Sequence, residues 1–151
     1  VAVGTQDNVV TSSHNIQVVA DMNESEISKE DLQGVILPGG MPGTTNLGAS
    51  EVVLDYTSYC SDNNLIVGAI CAAPSVLGKL GILQGKNAVC FPGFEDELKG
   101  SVISDDFVVT DGLIVTGKGM GATIPFALQL LAMFKDEETA NNVHSSLQCP
   151  Y

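Results

Sequence analysis

The stretch Leu65-Ile66-Val67-Gly68-Ala69-Ile70-Cys71-Ala72-Ala73-Pro74-Ser75-Val76-Leu77-Gly78 decides the fold. Its first six residues form an apolar run with the length and β-branched content of a strand buried on both faces. After Cys71 the composition changes to small residues, then Pro74 in what reads as the first turn of a helix running to about Leu80 and stopped by Gly81. Cys71 thus falls on a strand-to-helix junction, with the small residues Ala69 and Ala72 on either side. A sharp turn of this kind projects one side chain, and the amide after it helps to build an oxyanion hole. The start of a helix also favours thiolate over thiol. The competing assignment is a buried cysteine acting as a small core hydrophobe.

Outward from this stretch, the pattern alternates between strands and helices. Val1–Val3 reads as a strand stub, and Val9–Thr11 with Ile16–Ala20 as a short ribbon around Ser12–Asn15. Glu24–Asp31 is acidic and weakly helical, and Val35–Leu37 is a buried strand closed by Pro38-Gly39-Gly40. Val52, Val53, Tyr56 and Tyr59 lie at helical spacing behind the N-cap candidate Ser50, which places a helix over Glu51–Cys60. Ala88–Cys90, Val102–Ile103, Phe107–Thr110 and Leu113–Thr116 read as strands, the last two joined at Asp111-Gly112. Gly117–Gly121 opens a helix through Phe134, apolar nearly all round and so expected to be buried, and Asp136 to about Leu147 forms a final amphipathic helix. These elements predict one α/β domain over residues 1–151, a doubly wound, mostly parallel sheet with helices on both faces. Chemistry in such folds gathers at the carboxyl ends of the strands. Three of these ends are unusual: Pro38-Gly39-Gly40, Cys71 and Gly117–Gly121.

Charge narrows the function. Eighteen acidic residues face six lysines and no arginine, a formal charge of −12. Nucleic-acid partners and arginine-forked phosphate ligands are therefore not expected. No apolar run is long enough for a membrane span. Cys60, Cys71, Cys90 and Cys149 include no C-x-x-C pair, so no metal or dithiol motif is present. A domain of this size needs no disulfide staples, and reduced thiols in a cytoplasmic setting are expected.

Among the other candidates, Gly39 and Gly40 offer bare backbone amides for the second arm of an oxyanion hole facing Cys71; a simple tight turn is the alternative. Gly117, Gly119 and Gly121 follow G-x-G-x-G, without the spacing or the downstream acid of a dinucleotide fingerprint. That segment reads as close packing, and no cofactor is expected. His14 and His144 lie in a polar turn and the last helix, away from any strand end, so no Cys–His pair is evident. Glu95, Asp96 and Glu97 read as a solvated turn.

Taken together, VILPGG at 35–40, AICAAP at 69–74 and GKGMGATIPFAL at 117–128 resemble the ThiJ/PfpI superfamily, most closely its DJ-1 branch. The likeness runs along essentially the whole chain. It implies a flavodoxin-like sandwich, a homodimer and a reactive elbow cysteine readily oxidised to sulfinic acid. Carried onto this chain, it makes Cys71 the nucleophile and the Gly40 and Ala72 amides the oxyanion hole. Phe91 stands where some members have a histidine, which argues against a Cys–His hydrolase. His14 takes the place of a ribbon arginine, a possible and pH-dependent substrate contact. The family's proton-shuttling glutamate belongs to a first strand-to-helix loop that would precede Val1.

The resemblance implies a cofactor-free enzyme acting on small 2-oxoaldehydes or glycated adducts. The alternative is a redox sensor or stress-protective chaperone using the same cysteine. A homodimer is also expected from Val9, Val10, Ile16, Val18 and Val19, more apolar surface than a free ribbon leaves uncovered. Finally, the family pattern places a βα unit before Val1. Its absence is expected to leave the 35–37 and 65–70 strands without a neighbour, and the 151 residues are expected to be an incomplete record.

Overall fold

The computed structural model describes residues 2–4 and 7–149. Its strands are β1 Val3–Gly4, β2 Val9–Thr11, β3 Gln17–Val19, β4 Met22–Asn23, β5 Gly34–Leu37, β6 Ile66–Ile70, β7 Asn87–Ala88, β8 Val102–Ile103, β9 Val108–Asp111 and β10 Ile114–Gly117. The helices are α1 Gly43–Leu47, α2 Glu51–Asp62, α3 Pro74–Lys79, α4 Thr123–Phe134 and α5 Glu137–Leu147.

The central sheet runs β5-β6-β10-β9. The first three strands are parallel and β9 is antiparallel to β10. Side chains alternate along β6, as the period of a strand requires. Val67 and Ala69 enter the larger core with Leu37, Leu77 and Leu83, while Ile66 packs with Val115, Phe126 and Leu130 beneath α4. Gly68 faces α4 too: a Cβ there would come within 3.2 Å of both Phe126 and Leu130. The missing side chain lets α4 press close to the sheet.

Several boundaries differ from the sequence reading. Val1 lies outside the described residues, and the first strand is Val3–Gly4, which pairs in parallel with the unanticipated β4. The Glu24–Asp31 segment holds only a 3-10 turn, Glu24–Glu26. Asn23 and Glu26 close a capping box on it, which satisfies the turn locally without extending a helix. The strand expected at Ala88–Cys90 is the pair Asn87–Ala88, because the Val89 amide turns aside to the Thr116 hydroxyl at 3.0 Å. Helix α1 follows the glycine- and proline-rich turn directly, where the sequence reads only as a turn. Helix α4 is only partly enclosed, with Phe126 and Leu130 its buried members. Strand β6 has neighbours on both sides, contrary to the expectation for 65–70. Among the described residues β5 pairs with β6 alone, and Ile36 at its centre is 48% exposed.

Candidate active site

Cys71 follows β6 directly and adopts φ 67°, in the left-handed region that L side chains avoid. Two hydrogen bonds hold it there. Its N–H donates to the Gly117 carbonyl at 2.8 Å, and its own carbonyl accepts from the Phe91 N–H at 2.8 Å. The elbow is thereby tied to the end of β10 on one side and to the segment after β7 on the other. Behind it, the Ala73 N–H reaches back to the Ile70 carbonyl at 3.1 Å, and Pro74 opens α3. Ala69, Ala72 and Ala73 are buried, whereas Cys71 itself is half-exposed. This is the small-residue junction the sequence suggests, with its cysteine facing partly outward.

The loop after β5 lies against this junction. A Cβ built on Gly39 would stand 2.5 Å from the Cys71 Cβ and 3.2 Å from the Ala72 nitrogen. Gly40 has φ +95° and its carbonyl accepts from the Thr44 N–H at 2.8 Å, which launches α1. Among the described residues, the amides of Gly40 and Ala72 donate to no protein acceptor.

Sequence reasoning singled out Gly40 and Ala72 but passed over the steric role of Gly39 and the anchoring carbonyl of Gly117. The adjacent glycine pair carries the first signal; the second depends on strand order and has none. Gly117 is itself hemmed in, since a Cβ there would meet Ile70 at 2.9 Å. This bears out close packing for that glycine.

Cys90, by contrast, is buried beside the elbow. Burial pushes its thiol up to about 11, aided by the Glu95 carboxylate and by charge on Cys71, against a hydrogen bond from the Phe94 amide. Burial likewise raises the Cys60 thiol. Phe91 is 45% exposed and supplies a ring where a histidine would offer a base.

His14 is not brought to Cys71 within the chain. It sits at the exposed ribbon tip, where its N–H donates to Ser12 Oγ at 3.3 Å and its Nδ1 lies 3.2 Å from Ser13 Oγ. His144 lies on α5. Among the described residues, no carboxylate hydrogen-bonds Cys71 and no cluster of three His, Cys, Asp or Glu is placed to hold a metal ion.

The sequence model of the DJ-1/PfpI family matches residues 1–133. Protein dj-1beta of Drosophila melanogaster is 31% identical over 94% of this chain and 77% of its own length. Two further relatives are named for reactions. The glutathione-independent glyoxalase of Caenorhabditis elegans is 27% identical over 93% of this chain and 75% of its own. The isonitrile hydratase of Pseudomonas putida is 33% identical over 92% of this chain and 60% of its own. The crystal structure of a cysteine-to-alanine mutant of a DJ-1 superfamily protein from Salmonella typhimurium superposes with TM-score 0.90 at 30% identity, covering 99% of this chain and 81% of that one. With the elbow, the glycine loop and the flavodoxin-like sheet in the same order along the chain, the protein belongs to the DJ-1/PfpI family.

Proposed function

We propose that the protein is a cofactor-independent cysteine enzyme that acts on small 2-oxoaldehydes or on their adducts. The observation that carries this reading is Cys71, held at positive φ and half-exposed beside two amides that donate to no protein acceptor. The Cys71 thiolate adds to the aldehyde carbon, and the carbonyl π pair becomes an alkoxide facing the Gly40 and Ala72 N–H groups. Donors fixed before the charge develops stabilise it without reorganisation. Protonation gives a hemithioacetal. A proton moved from C1 to C2 then yields a 2-hydroxy thioester, which water cleaves to the 2-hydroxy acid and free thiolate. A positioned acid–base group carries out this proton transfer. The relationship to a glutathione-independent glyoxalase supports this reaction class.

The test is direct. Full-length protein converts methylglyoxal to lactate without glutathione, and Cys71→Ser loses that conversion. Turnover unchanged in the variant removes the mechanism.

A second reading rests on the difference in exposure between the thiols. Cys60 and Cys90 are buried, whereas Cys71 and the distant Cys149 are partly exposed. Oxidant would therefore reach Cys71 before the other elbow-side thiol, as a redox sensor requires. Gain of two oxygens on Cys71 under mild peroxide, with no carbonyl turnover, favours this reading over the first.

A further inference from the structure

We infer that Cys90 is a resolving thiol for Cys71, so that oxidation of the elbow cysteine ends in an internal Cys71–Cys90 disulfide. The inference rests on the second reading above, in which oxidant reaches Cys71 first, and it adds a second modified residue to that reading. Cys90 takes no part in the carbonyl chemistry, yet it is a buried nucleophile, 3% exposed, on the segment hydrogen-bonded to the elbow.

Two bonds fix the segment that carries Cys90. The Val89 N–H donates to the Thr116 hydroxyl of β10 at 3.0 Å, and the Phe91 N–H donates to the Cys71 carbonyl at 2.8 Å. Cys71 is itself tied to the end of β10, through its N–H and the Gly117 carbonyl at 2.8 Å. Both cysteines are therefore held at the same end of one strand, with a single backbone hydrogen bond joining their segments. Strand-like segments joined by such bonds lie about 4.8 Å apart. That is inside the roughly 4.4–6.8 Å between α-carbons that a disulfide spans. Charge on Cys71 also registers on the Cys90 thiol, whereas the Cys60 thiol responds to Lys29 instead. The Phe94 amide hydrogen-bonds the Cys90 sulfur, which helps it to carry negative charge.

The steps balance with a hydroperoxide as the oxidant. The Cys71 thiolate attacks the terminal peroxide oxygen and an S–O bond forms. The O–O bond breaks, the departing oxygen is protonated by water, and Cys71 becomes a sulfenic acid. The Cys90 sulfur then attacks the Cys71 sulfur. The S–O bond breaks, hydroxide leaves with the Cys90 proton as water, and the S–S bond forms. An external dithiol returns two electrons and restores both thiols. Exposure divides the labour, since oxidant meets Cys71 while the buried Cys90 meets the sulfur beside it. Part of what keeps Cys90 protonated is the negative charge on Cys71. A neutral sulfenic acid withdraws that charge, so oxidation of the first thiol readies the second. Closure of the disulfide competes with further oxidation of Cys71 and keeps the nucleophile recoverable.

In the experiment, the intact, reduced protein is treated with a stoichiometric amount of hydrogen peroxide, and the remaining thiols are blocked. Trypsin with an aspartate-directed protease separates Cys60 from Cys71 at Asp62. The expected product links the Cys71 and Cys90 peptides, two hydrogens lighter than the reduced pair, and dithiothreitol reverses it. Cys90→Ala and Cys90→Ser cannot close the bond. In both variants dimedone captures Cys71 sulfenic acid, and Cys71 sulfinic acid accumulates at severalfold lower peroxide than in the wild-type protein. The wild-type peptide map needs no variant and decides the question where a substitution prevents folding. Sulfinic acid on Cys71 with Cys90 still a free thiol, at every peroxide level, overturns the resolving role and leaves Cys71 as the redox-active thiol. Linkage of Cys71 to Cys60, to Cys149 or to a second chain overturns it as well. A Cys71 that peroxide leaves untouched removes the redox reading and the disulfide together.

Discussion

Gly39 and Cys71 meet so closely that a Cβ on the glycine would stand 2.5 Å from the Cys71 Cβ and 2.5 Å from the Ile70 carbonyl oxygen. Neither neighbour is the free end of a flexible side chain, so the backbone itself would have to move. Gly39→Ala is therefore expected to cost about 1–3 kcal/mol, as overpacking does, and to displace the elbow. At Gly40 a Cβ meets nothing within 4 Å, but φ is +95°. Gly40→Ala carries only the backbone cost, about 1 kcal/mol. Denaturant unfolding paired with the Cys71 alkylation rate separates the two. A Gly39→Ala protein with wild-type alkylation and wild-type stability contradicts the steric account.

Cys71 itself is strained, at φ 67°. A side chain in that region costs about 1–2 kcal/mol that glycine does not incur. Glycine's larger unfolded-state entropy returns part of the gain. Cys71→Gly should thus be more stable than Cys71→Ala by about 1 kcal/mol, though both lack the thiol. Equal melting temperatures would mean that the junction relaxes once the sulfur is gone.

Much of this geometry was legible in the sequence because its causes are local. The apolar run before Cys71, the alanines around it and Pro74 after it specify strand, turn and helix without help from distant residues. Ser50 likewise caps α2 as its position suggests, its hydroxyl accepting from the Val53 N–H at 3.3 Å. What stayed hidden depends on partners far along the chain. The Gly117 carbonyl anchors Cys71 only because β10 lies beside β6. The Val89 amide leaves its strand only because Thr116 offers a buried hydroxyl.

The buried thiol beside the elbow gives a pH dependence of known sign. Cys90 has a folded pKa raised from 9.0 to about 11. Below about 9.0 the thiol is protonated in both states, and the stability linked to its retained proton is fully present. As pH rises from there, the unfolded chain ionises first, and stability falls until the folded thiol ionises near 11. Melting temperature followed from neutral pH to about 11 should therefore decline more steeply in the wild-type protein than in Cys90→Ala, measured against each protein's neutral value. Iodoacetamide near pH 8 should label Cys71 well ahead of Cys90, of which only about a thousandth is then thiolate. Parallel base limbs for the two proteins would show that Cys90 does not titrate as its burial requires.

The ribbon supplies the last prediction, a homodimer formed through β2 and β3. These strands pair antiparallel from Val9↔Val19 to Thr11↔Gln17. Val9, Val10, Val18 and Val19 are between 44% and 74% exposed, and Ile16 beside them is 64% exposed. An isolated two-stranded ribbon is marginal in water, and both of its faces carry apolar side chains that nothing among the described residues covers. A second copy would bury those faces and bring the His14 tip onto a neighbouring surface. Val18→Lys with Val19→Asp should then convert the intact protein from dimer to monomer at micromolar concentration in sedimentation equilibrium. Because these side chains lie outside the core, the variant should keep the unfolding transition of the central sheet. A wild-type protein that sediments as a monomer, or a double variant that remains dimeric, places the interface elsewhere or removes it.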